Sequence, residues 1–508
     1  MNNEQIAIVG LGIIAPDAPN KDRFWRNVTS GRNCVSEVPR DRWDWKLYYS
    51  EDRKAADKTY SKIGGFIKDF TFDPIKYKIP PQTATQISRL QQITIEAVRM
   101  AFEDSGYDKK AFDPRKAGVI IGNAMGAMRK ELTDLRVYKF YNEDLLKKTK
   151  VYGALTPAQQ KGLMAEYEDQ IDQNILKITE DTMPGELSNV TAGRIANVFN
   201  LNGANMTMDA ACASSLAALD YAVMALRAGK LDMAVTGGAD EMMSAPAFVK
   251  FSKIGALSAN GSYSFDTRAD GFVMAEAVAV YILKRRSDAE RDGDRIYALI
   301  NSVGASSDGK GKGITAPNPK GQKYAIENAF AQVNYGPGEV DFVEAHGTAT
   351  KVGDAAEVAT LQEIFGPHMK AGKKLGLTSV KSQIGHAKAA AGAVSLVKTA
   401  LALYHKTYPR SINYEKPNPG IDLNLFRVID KTEPWETTGL RRANVSSFGF
   451  GGTNFHVTME EYIGPSQVTS YKSQASAADS SSLIPHPSSL SFTALQGEAF
   501  TFTAPTPQ

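Results

Sequence analysis

The sequence predicts an α/β protein, in which strands and helices alternate over residues 1 to about 460. Short apolar runs at residues 6–9, closed by Gly10 and Gly12, and at residues 117–122 have the length and composition of buried strands. Stretches with helical spacing lie between such runs, for example at residues 86–103. Alternation of this kind indicates parallel strands flanked by helices. A chain of 508 residues is also long enough for two or more packed units.

The alternation continues through both halves of the chain. A predicted helix at residues 213–228 precedes a predicted strand at 233–237, and the pattern returns at 295–303, 323–332, 342–345 and 358–365.

Two segments differ from this pattern in composition. Residues 130–181 are rich in Lys, Glu, Asp, Tyr and Gln at helical spacing, which predicts a helical surface insertion. From about residue 461 the chain is rich in Ser, Ala, Thr and Pro, a composition typical of a linker. We expect further domains to follow that linker in the native polypeptide.

Composition narrows the class of function. Basic and acidic residues number 59 and 56, so there is no basic excess typical of nucleic-acid binding, although a local basic patch for an acidic partner remains open. Two cysteines do not make a disulfide framework, which agrees with a reducing compartment. The N-terminus lacks the features of a signal peptide, and the most apolar helical stretch, residues 389–404, contains Lys398 and is too short to span a membrane. We expect a soluble, cytoplasmic protein.

Cys212 lies where an extended segment leads into a helical one. A cysteine at such a junction experiences the positive end of the helix dipole, which favours the thiolate. Its small neighbours Ala210, Ala211, Ala213 and Ser214 leave room for a substrate to reach the sulfur. A buried and inert cysteine explains this segment equally well when it is considered alone.

Two of the six histidines lie at predicted strand ends, where α/β sheets bind ligands. His346 follows an apolar run and precedes a glycine turn. His386 follows a second predicted strand and the turn at Gly385, and it precedes an alanine-rich helix expected to begin near Ala387. Taken singly, each histidine is also compatible with a structural role.

A glycine-rich segment closes the set of candidate motifs. Gly449, Gly451 and Gly452 interrupt a strand and flank Phe448 and Phe450. This segment is either a plain turn or a loop that gates a pocket.

Together these motifs resemble those of the β-ketoacyl synthases, the condensing enzymes of fatty-acid and polyketide synthesis. The shared motifs are Asp-Ala-Ala-Cys-Ala-Ser-Ser-Leu, Glu-Ala-His-Gly-Thr-x-Thr, Lys-Ser-x-x-Gly-His and Gly-Phe-Gly-Gly-Thr-Asn. Cys212 and His346 are 134 residues apart, and His346 and His386 are 40 apart. The resemblance covers residues 4–460 and is greatest to ketosynthase domains of iterative multidomain synthases, including those that make polyunsaturated fatty acids. The segments at 72–81, 183–187 and 303–310 support this narrower resemblance.

The resemblance implies a mechanism. Cys212 attacks an acyl thioester and holds the growing chain. His346 and His386 promote loss of CO₂ from a malonyl thioester by hydrogen bonding to its oxygen, and Lys381 orients the site. The substrates arrive on the phosphopantetheine arm of an acyl carrier protein, and no metal, nucleotide or other cofactor is required. Backbone N–H groups of Cys212 and Phe450 form an oxyanion hole.

Further residues receive supporting roles from the same resemblance. Glu357, on the helix after Asp354, orients the site as Lys381 does, and Asp354 has a supporting role. Thr348 and Thr350 contact the pantetheine arm. Phe448, Phe450 and Gly451 of the glycine-rich loop contact the substrate. Ala349, Ala275 and Ala277 stand where the family usually has glycine, which places the local loop shape in question.

The fold implied is thiolase-like, with two similar halves, each with a mixed five-stranded sheet, in a layered α/β/α/β/α arrangement. Residues 1–265 form the first half and supply Cys212, residues 266–460 form the second half and supply both histidines, and residues 461–508 form the linker. Family members are usually homodimers, and neighbouring synthase domains such as an acyltransferase are expected partners.

Two other functions stay open at this point. A cysteine hydrolase shares the Cys and His pair, although the second histidine and the Lys381 motif argue against it. A non-elongating condensing domain would bind or relay acyl chains without extending them.

Overall fold

The computed structural model describes residues 4–311, 313–314 and 316–464, so the predicted linker lies almost wholly outside the described residues. Within them the strands, in chain order, are β1 (Ile6–Ile14), β2 (Val35–Glu37), β3 (Ile63–Gly65), β4 (Ala117–Gly122), β5 (Asn205–Met208), β6 (Met233–Asp240), β7 (Ala277–Arg285), β8 (Ala298–Ser307), β9 (Phe342–Glu344), β10 (Leu375–Thr378), β11 (Thr407–Tyr408), β12 (Phe426–Val428), β13 (Glu433–Pro434), β14 (Arg442–Gly449) and β15 (Thr453–Glu460).

The helices of the same part of the chain are α1 (Lys21–Ser30), α2 (Pro81–Gln86), α3 (Arg89–Ser105), α4 (Arg129–Val137), α5 (Lys139–Lys147), α6 (Lys150–Gly153), α7 (Pro157–Asn174), α8 (Thr182–Glu186), α9 (Ser188–Phe199), α10 (Ser214–Arg227), α11 (Ala245–Lys253), α12 (Arg286–Arg291), α13 (Pro319–Phe330), α14 (Lys351–Phe365), α15 (Lys381–Ile384) and α16 (Ala391–His405). None of the helices in the described ranges is long and apolar enough to cross a membrane.

Eleven strands form one mixed sheet, in the order β12-β10-β9-β14-β15-β8-β1-β7-β6-β4-β5. The first half contributes β5-β4-β6-β7-β1 and the second contributes β10-β9-β14-β15-β8. Counted along the chain within its own half, each set has the order 3-2-4-5-1. The first three strands are parallel, and the last two pairings are antiparallel. The prediction of two similar halves is therefore confirmed.

Two details differ from that prediction. The second half has a sixth, short strand, β12, which pairs in parallel with β10 at the outer edge. The two halves also join into one sheet, because Ile6–Ile8 of β1 pair antiparallel with Ala298–Ile300 of β8. The sheet order groups β7 (Ala277–Arg285) with the strands of the first half, although it follows the predicted boundary at 265. The dividing positions at 265 and 460 stay predictions, and Glu461 and Tyr462 still belong to the same packed unit as the residues before them.

The helices form layers around these strands. Helices α10 and α16 each contact strands of both halves and so lie between them. On the opposite faces, α3 and α9 pack on the first half, and α13 and α14 pack on strands and helices of the second. Nearly all of α16 is buried, which explains why its sequence is apolar on every side. The predicted layered arrangement is present.

Glycine has a different function in β1 from the one the sequence predicts. Gly10 and Gly12 do not end the strand, which continues to Ile14. A Cβ atom on Gly10 would lie 2.5 Å from the carbonyl oxygen of Ala101, and one on Gly12 would lie 1.9 Å from that of Ala97. These glycines therefore allow α3 to approach the strand closely.

The segment at 130–181 is helical, as its spacing predicts. Helix α7 begins with a capping box, in which the Thr156 hydroxyl and the Gln159 side chain each accept a hydrogen bond from the other residue's backbone N–H. Several large apolar side chains of α4 and α5 are exposed, including Phe140 at 66% and Tyr141 at 60%. That residues 130–181 form an insertion stays a prediction.

Candidate active site

Cys212 lies in a tight turn between β5 and α10, as the sequence predicts. Ala211, the preceding residue, has φ of 50°, a left-handed conformation that costs a non-glycine residue about 1–2 kcal/mol. The Ser214 hydroxyl stabilises this turn, because its Oγ accepts the Ala210 N–H at 2.9 Å and donates to the Ala211 carbonyl at 2.6 Å. The turn fixes Cys212 at the start of the helix.

The second half of the chain fixes the same turn from the other side. The Ser447 hydroxyl of β14 donates to the carbonyl oxygen of Cys212 at 2.7 Å. The Thr453 hydroxyl of β15 donates to that of Ala210 at 3.0 Å. A Cβ atom on Gly449 would lie 2.3 Å from the same Ala210 oxygen, so only glycine allows this approach. The site is built from both halves, as the resemblance implies.

The thiol of Cys212 is protonated at neutral pH. Burial raises its pKa to about 11, and the nearby ammonium groups of Lys381 and Lys388 offset the rise only in part. The backbone N–H of Phe450 donates to the sulfur. The sequence-based expectation of a stabilised thiolate is therefore wrong for the resting state, because removal from water outweighs the favourable charges and the helix end.

His346 is held by hydrogen bonds at its backbone and its ring. Its N–H donates to Glu357 Oε1 at 2.8 Å. Its ring Nδ1 accepts the backbone N–H of Phe448 at 3.3 Å. Because Nδ1 is the acceptor, the proton of the neutral ring is on Nε2.

His386 is also held by hydrogen bonds at its backbone and its ring, but to different partners. Its backbone N–H donates to the carbonyl of Val273 at 2.6 Å, and its ring Nδ1 accepts the N–H of Lys388 at 3.2 Å. The centroid of its ring lies 5.5 Å from that of His346, edge to face, and 5.2 Å from that of Phe272. The site thus has two Nε2–H donors on adjacent rings.

Both rings are neutral at physiological pH. Burial lowers the pKa of His346 and of His386 well below the usual value, and the positive charge of Lys381 lowers both further. A neutral imidazole whose tautomer is fixed keeps a hydrogen-bond donor at Nε2, which can stabilise a negative charge that develops beside it.

Lys381 is buried near both histidines and does not line the cavity. The sequence predicts a strand that ends before the turn at Gly385, but β10 ends at Thr378 and Lys381 begins the one-turn helix α15. The helix after His386 also starts later than expected, at Ala391. Burial lowers the pKa of Lys381, against the opposing influence of the carboxylates of Glu344 and Glu357. Its predicted influence on the site through charge agrees with this placement.

Glu357 and Asp354 of α14 hold the loop that follows β9. The two oxygens of Glu357 accept the N–H groups of His346 and Gly347, each at 2.8 Å. Asp354 accepts the N–H of Ala349 at 3.1 Å. Burial raises the pKa of Glu357 to about 6 and that of Asp354 to about 7. Ala349, where the family usually has glycine, adopts φ of 64° in this loop.

A cavity of about 360 Å³ opens beside these groups. Thr348 and Thr350 line it, with hydroxyl oxygens 3.3 Å apart, as do Phe448 and Phe450. Gly451 does not line it; its N–H donates to the carbonyl oxygen of Ile314 at 3.0 Å. The other lining residues are Cys212, Ile254, Gly255, Ala256, Phe272, Asp308, Ile314, Ala316, Pro317, Gln322, His346, Gly347, Val352, Gly353, Asp354, Glu357, His386, Gly449, Gly452 and Asn454.

Two buried ion pairs near the site were not predicted. Lys398 Nζ lies 2.7 Å from Glu344 Oε2, and Lys388 Nζ lies 2.9 Å from Asp240 Oδ1. The signal in the sequence was a lysine in the most apolar helix and another within the His386 motif. Across the described ranges, no group of His, Cys, Asp and Glu side chains is arranged to hold a metal ion.

Comparisons with known proteins agree with this geometry. The family model described as the β-ketoacyl synthase N-terminal domain matches residues 3–289, and the one for the C-terminal domain matches residues 297–415. The chain is 32% identical to polyketide synthase PksN of Bacillus subtilis (strain 168), over 92% of this chain and 8% of that protein. It is 35% identical to a polyunsaturated fatty acid synthase chain of Thraustochytrium sp., over 92% of this chain and 17% of that protein. The chain therefore spans a small part of these curated relatives.

Solved structures give the same result for the fold. An oxazolomycin ketosynthase domain, OzmH KS7 of Streptomyces albus, superposes with a TM-score of 0.78 at 33% identity, over 91% of this chain and 75% of that one. A ketosynthase from module 6 of the bacillaene synthase of Bacillus subtilis 168 superposes with a TM-score of 0.74 at 31% identity, over 94% and 76%. The predicted thiolase-like fold is confirmed by these matches.

Proposed function

Since the chain belongs to the β-ketoacyl synthase family, a family of acyltransferases, we propose that it condenses an acyl group held on Cys212 with a malonyl unit on an acyl carrier protein. The observation that carries the proposal is the pair of neutral histidines beside Cys212, each with Nδ1 occupied by a backbone N–H and Nε2–H left to donate.

The first step is acyl transfer to Cys212. The sulfur forms a bond with the thioester carbonyl carbon, the carbon–sulfur bond to the carrier breaks, and the thiol proton leaves with the carrier's sulfur. The N–H of Phe450 already contacts the sulfur, which supports its role, with the N–H of Cys212, in stabilising the tetrahedral oxyanion.

The second step is decarboxylation of the malonyl thioester. The bond to the carboxylate breaks, CO₂ leaves, and the electron pair forms an enolate. The Nε2–H groups of His346 and His386 donate to the enolate oxygen. Each such donor, fixed in advance, is worth about 10²–10³ in rate.

The third step joins the two units. The enolate carbon attacks the acyl carbonyl on Cys212, the carbon–sulfur bond breaks, and the thiolate takes up a proton. The product is a β-ketoacyl thioester on the carrier. Since the pKa of the free thiol is about 11, the protonated form of Cys212 is restored after each cycle.

The proposed partner is an acyl carrier protein with a phosphopantetheine arm. Thr348 and Thr350 support this assignment, because their hydroxyls face the cavity beside the histidines and can hydrogen bond to amides of such an arm. Neighbouring synthase domains follow from the relatives, which are multidomain synthases. The pathway that this condensation serves makes a polyketide or a fatty acid, the two classes named among those relatives.

We also propose a homodimer. The outer edge of β5 has no strand partner among the described residues, and an unpaired edge can pair with a second copy. The exposed apolar side chains of α4 and α5 also favour a protein partner. Light scattering coupled to gel filtration tests this proposal, and a monomer at all concentrations would exclude it.

We also propose that the protein is located in the cytoplasm. Cys34 and Cys212 are both free thiols, and a nucleophilic cysteine needs a reducing compartment to remain so. Localisation of a tagged chain by microscopy, with cell fractionation, tests this assignment.

Intact-protein mass spectrometry tests the enzymatic function. The protein is incubated with a panel of acyl thioesters, in parallel with Cys212→Ala, and then with malonyl-carrier protein. We expect an acyl adduct that is absent in Cys212→Ala, followed by a β-ketoacyl product on the carrier. Release of free acid would indicate a hydrolase, and acylation without decarboxylation would indicate a non-elongating domain; the family match favours neither.

A further inference from the structure

We infer that Lys388 is a positioning residue, whose buried ion pair with Asp240 holds the main chain so that the Lys388 N–H fixes the ring of His386. The inference concerns the arrangement of His386, and its catalytic consequence rests on the proposed function.

The ammonium group of Lys388 is fully occupied. Its Nζ lies 2.9 Å from Asp240 Oδ1, donates to the carbonyl oxygen of Ala275 at 2.7 Å, and lies 3.8 Å from the sulfur of Met243. The side chains of Lys388 and Asp240 are 5% and 1% exposed. Three acceptors for three protons leave this side chain one arrangement.

Asp240 is equally constrained. Its Oδ1 also accepts the N–H of Met242 at 3.0 Å, and its Oδ2 accepts the N–H of Ala389 at 3.3 Å. Asp240 is the last residue of β6, so the ion pair connects the end of this central strand to the turn between His386 and α16.

The backbone of Lys388 is held in an unfavourable conformation. Its φ is 46°, in the left-handed region that non-glycine residues avoid. Such a conformation persists only where the surrounding contacts determine it, and the buried ion pair is the contact that acts on this residue directly.

This conformation has a consequence for His386. The N–H of Lys388 donates to Nδ1 of His386 at 3.2 Å, which places the ring proton on Nε2. If the peptide turned away, Nδ1 would lose its donor, and the ring could carry its proton on the wrong nitrogen or rotate.

The ion pair also stabilises the main chain of His386 itself. The His386 N–H donates to Val273 at 2.6 Å, and its carbonyl accepts the N–H of Ala275 at 2.9 Å. The Lys388 ammonium donates to the carbonyl of the same Ala275. This side chain therefore links the backbone at Ala275 to the backbone around His386.

The test separates the two chemical steps. For Lys388→Met we expect the rate of malonyl decarboxylation to fall about a hundredfold, the scale of a misplaced catalytic group. Acylation of Cys212 does not use Nε2–H of His386 and should fall less, by the effect of losing the Lys388 charge near the thiol, so the ratio of the two rates is the readout. Lys284→Met is the matched control, since Lys284 forms a buried ion pair with Asp294 at 2.7 Å at the far end of β7. It should leave the ratio of the two rates unchanged.

A second comparison isolates the backbone. In Asp240→Asn/Lys388→Gly and Asp240→Asn/Lys388→Met the ion pair is absent and no unpaired charge is left behind, so this comparison remains usable if Lys388→Met fails to fold. Glycine adopts positive φ without strain, so we expect its variant to decarboxylate about tenfold faster. If the glycine variant is equal to or slower than the methionine variant, Lys388 does not act through the backbone and the inference is wrong.

The tautomer of His386 gives a readout that does not depend on activity. In ¹⁵N-histidine NMR spectra, assigned with His386→Gln, the wild-type ring should show its proton on Nε2, and Lys388→Met should lose this preference. An unchanged tautomer, with unchanged decarboxylation relative to acylation, would overturn the inference. If the wild type does not decarboxylate at all, the proposed function fails, and the NMR comparison still decides the inference.

Discussion

Replacing Lys398 with methionine would leave the Glu344 carboxylate without its ion-pair partner in the interior of the protein. Both side chains are completely buried, and Nζ lies 2.7 Å from Oε2. Loss of one partner from such a pair destabilises a protein by about 3–5 kcal/mol. Glu344 would keep the hydroxyl of Thr378 and the N–H of Val380, the latter at 2.7 Å, so we expect a value near the lower limit, about 3 kcal/mol.

The double variant Glu344→Gln/Lys398→Met should be less damaging than the single one. It removes both charges and keeps an amide oxygen that can accept the Val380 N–H. We expect its loss of stability to be about 1–2 kcal/mol, the contribution of the remaining imperfect hydrogen bonds. The single variant should be the less stable of the two, because a buried carboxylate without a partner destabilises the fold more than an uncharged amide does.

Urea denaturation followed by tryptophan fluorescence measures these differences. Lys148→Met is the matched control, since Lys148 forms an exposed pair with Asp144 and its loss should cost less than about 0.5 kcal/mol. The reasoning is refuted if Lys398→Met costs less than about 1 kcal/mol, or if the double variant is the less stable of the two. Because β9 ends at Glu344, two residues before His346, decarboxylation should fall in Lys398→Met as well.

Three further predictions follow from the geometry. Because burial lowers the pKa of His346 and His386 well below 6.5, both rings stay neutral from about pH 6 to pH 8, and ¹⁵N-histidine NMR spectra across this range should show no protonation of either ring; ring protonation centred near pH 6.5 would contradict this. Ala349→Gly should raise the free energy of unfolding by up to about 1 kcal/mol, since the relief of left-handed strain exceeds the entropy cost of glycine; equal or lower stability in urea denaturation would count against it. Gly12→Ala should destabilise the fold by about 3 kcal/mol, because its Cβ atom meets a backbone carbonyl of α3, whereas Gly162→Ala on α7 meets open space and should stabilise; thermal denaturation compares the two.

The alternation of strands and helices could be predicted because it depends on local patterns. The strand at 117–122 is correct to the residue, since β-branched residues and flanking glycines define a buried parallel strand. The errors in predicted strand and helix ends arise where tertiary packing, and not the local sequence, determines the structure. Gly12 looks like a strand end in the sequence, yet it accommodates a helix that lies 85 residues later in the chain, at Ala97.

The candidate site was predicted through its motifs, and its electrostatics were not. The structure brings Cys212, His346 and His386 around one cavity, which the motif order implied. The pKa of Cys212 could not be read from the sequence, because desolvation depends on every neighbour around the sulfur. The pairing of Lys388 with Asp240 joins positions 148 residues apart and has no local signature.

The duplicated fold explains why the site needs both halves. Cys212 follows β5, which is the third strand of the first half, and His386 follows the turn after β10, the third strand of the second. The helices that come next, α10 and α16, are therefore equivalent, and they contact each other in the central layer. The hydroxyl of Ser215 on α10 accepts the N–H of Ala393 on α16 at 2.9 Å, so the two helix N-termini lie together.

Two adjacent helix N-termini give the site a positive potential before any substrate binds. That potential favours the two oxyanions of the proposed mechanism, the tetrahedral one at Cys212 and the enolate at His346 and His386. One copy of the repeated unit therefore carries the nucleophile before its central helix, and the other carries a hydrogen-bond donor in the corresponding connection from strand to helix. A half expressed alone would keep one helix end and one of the two functions, so condensation requires the paired halves.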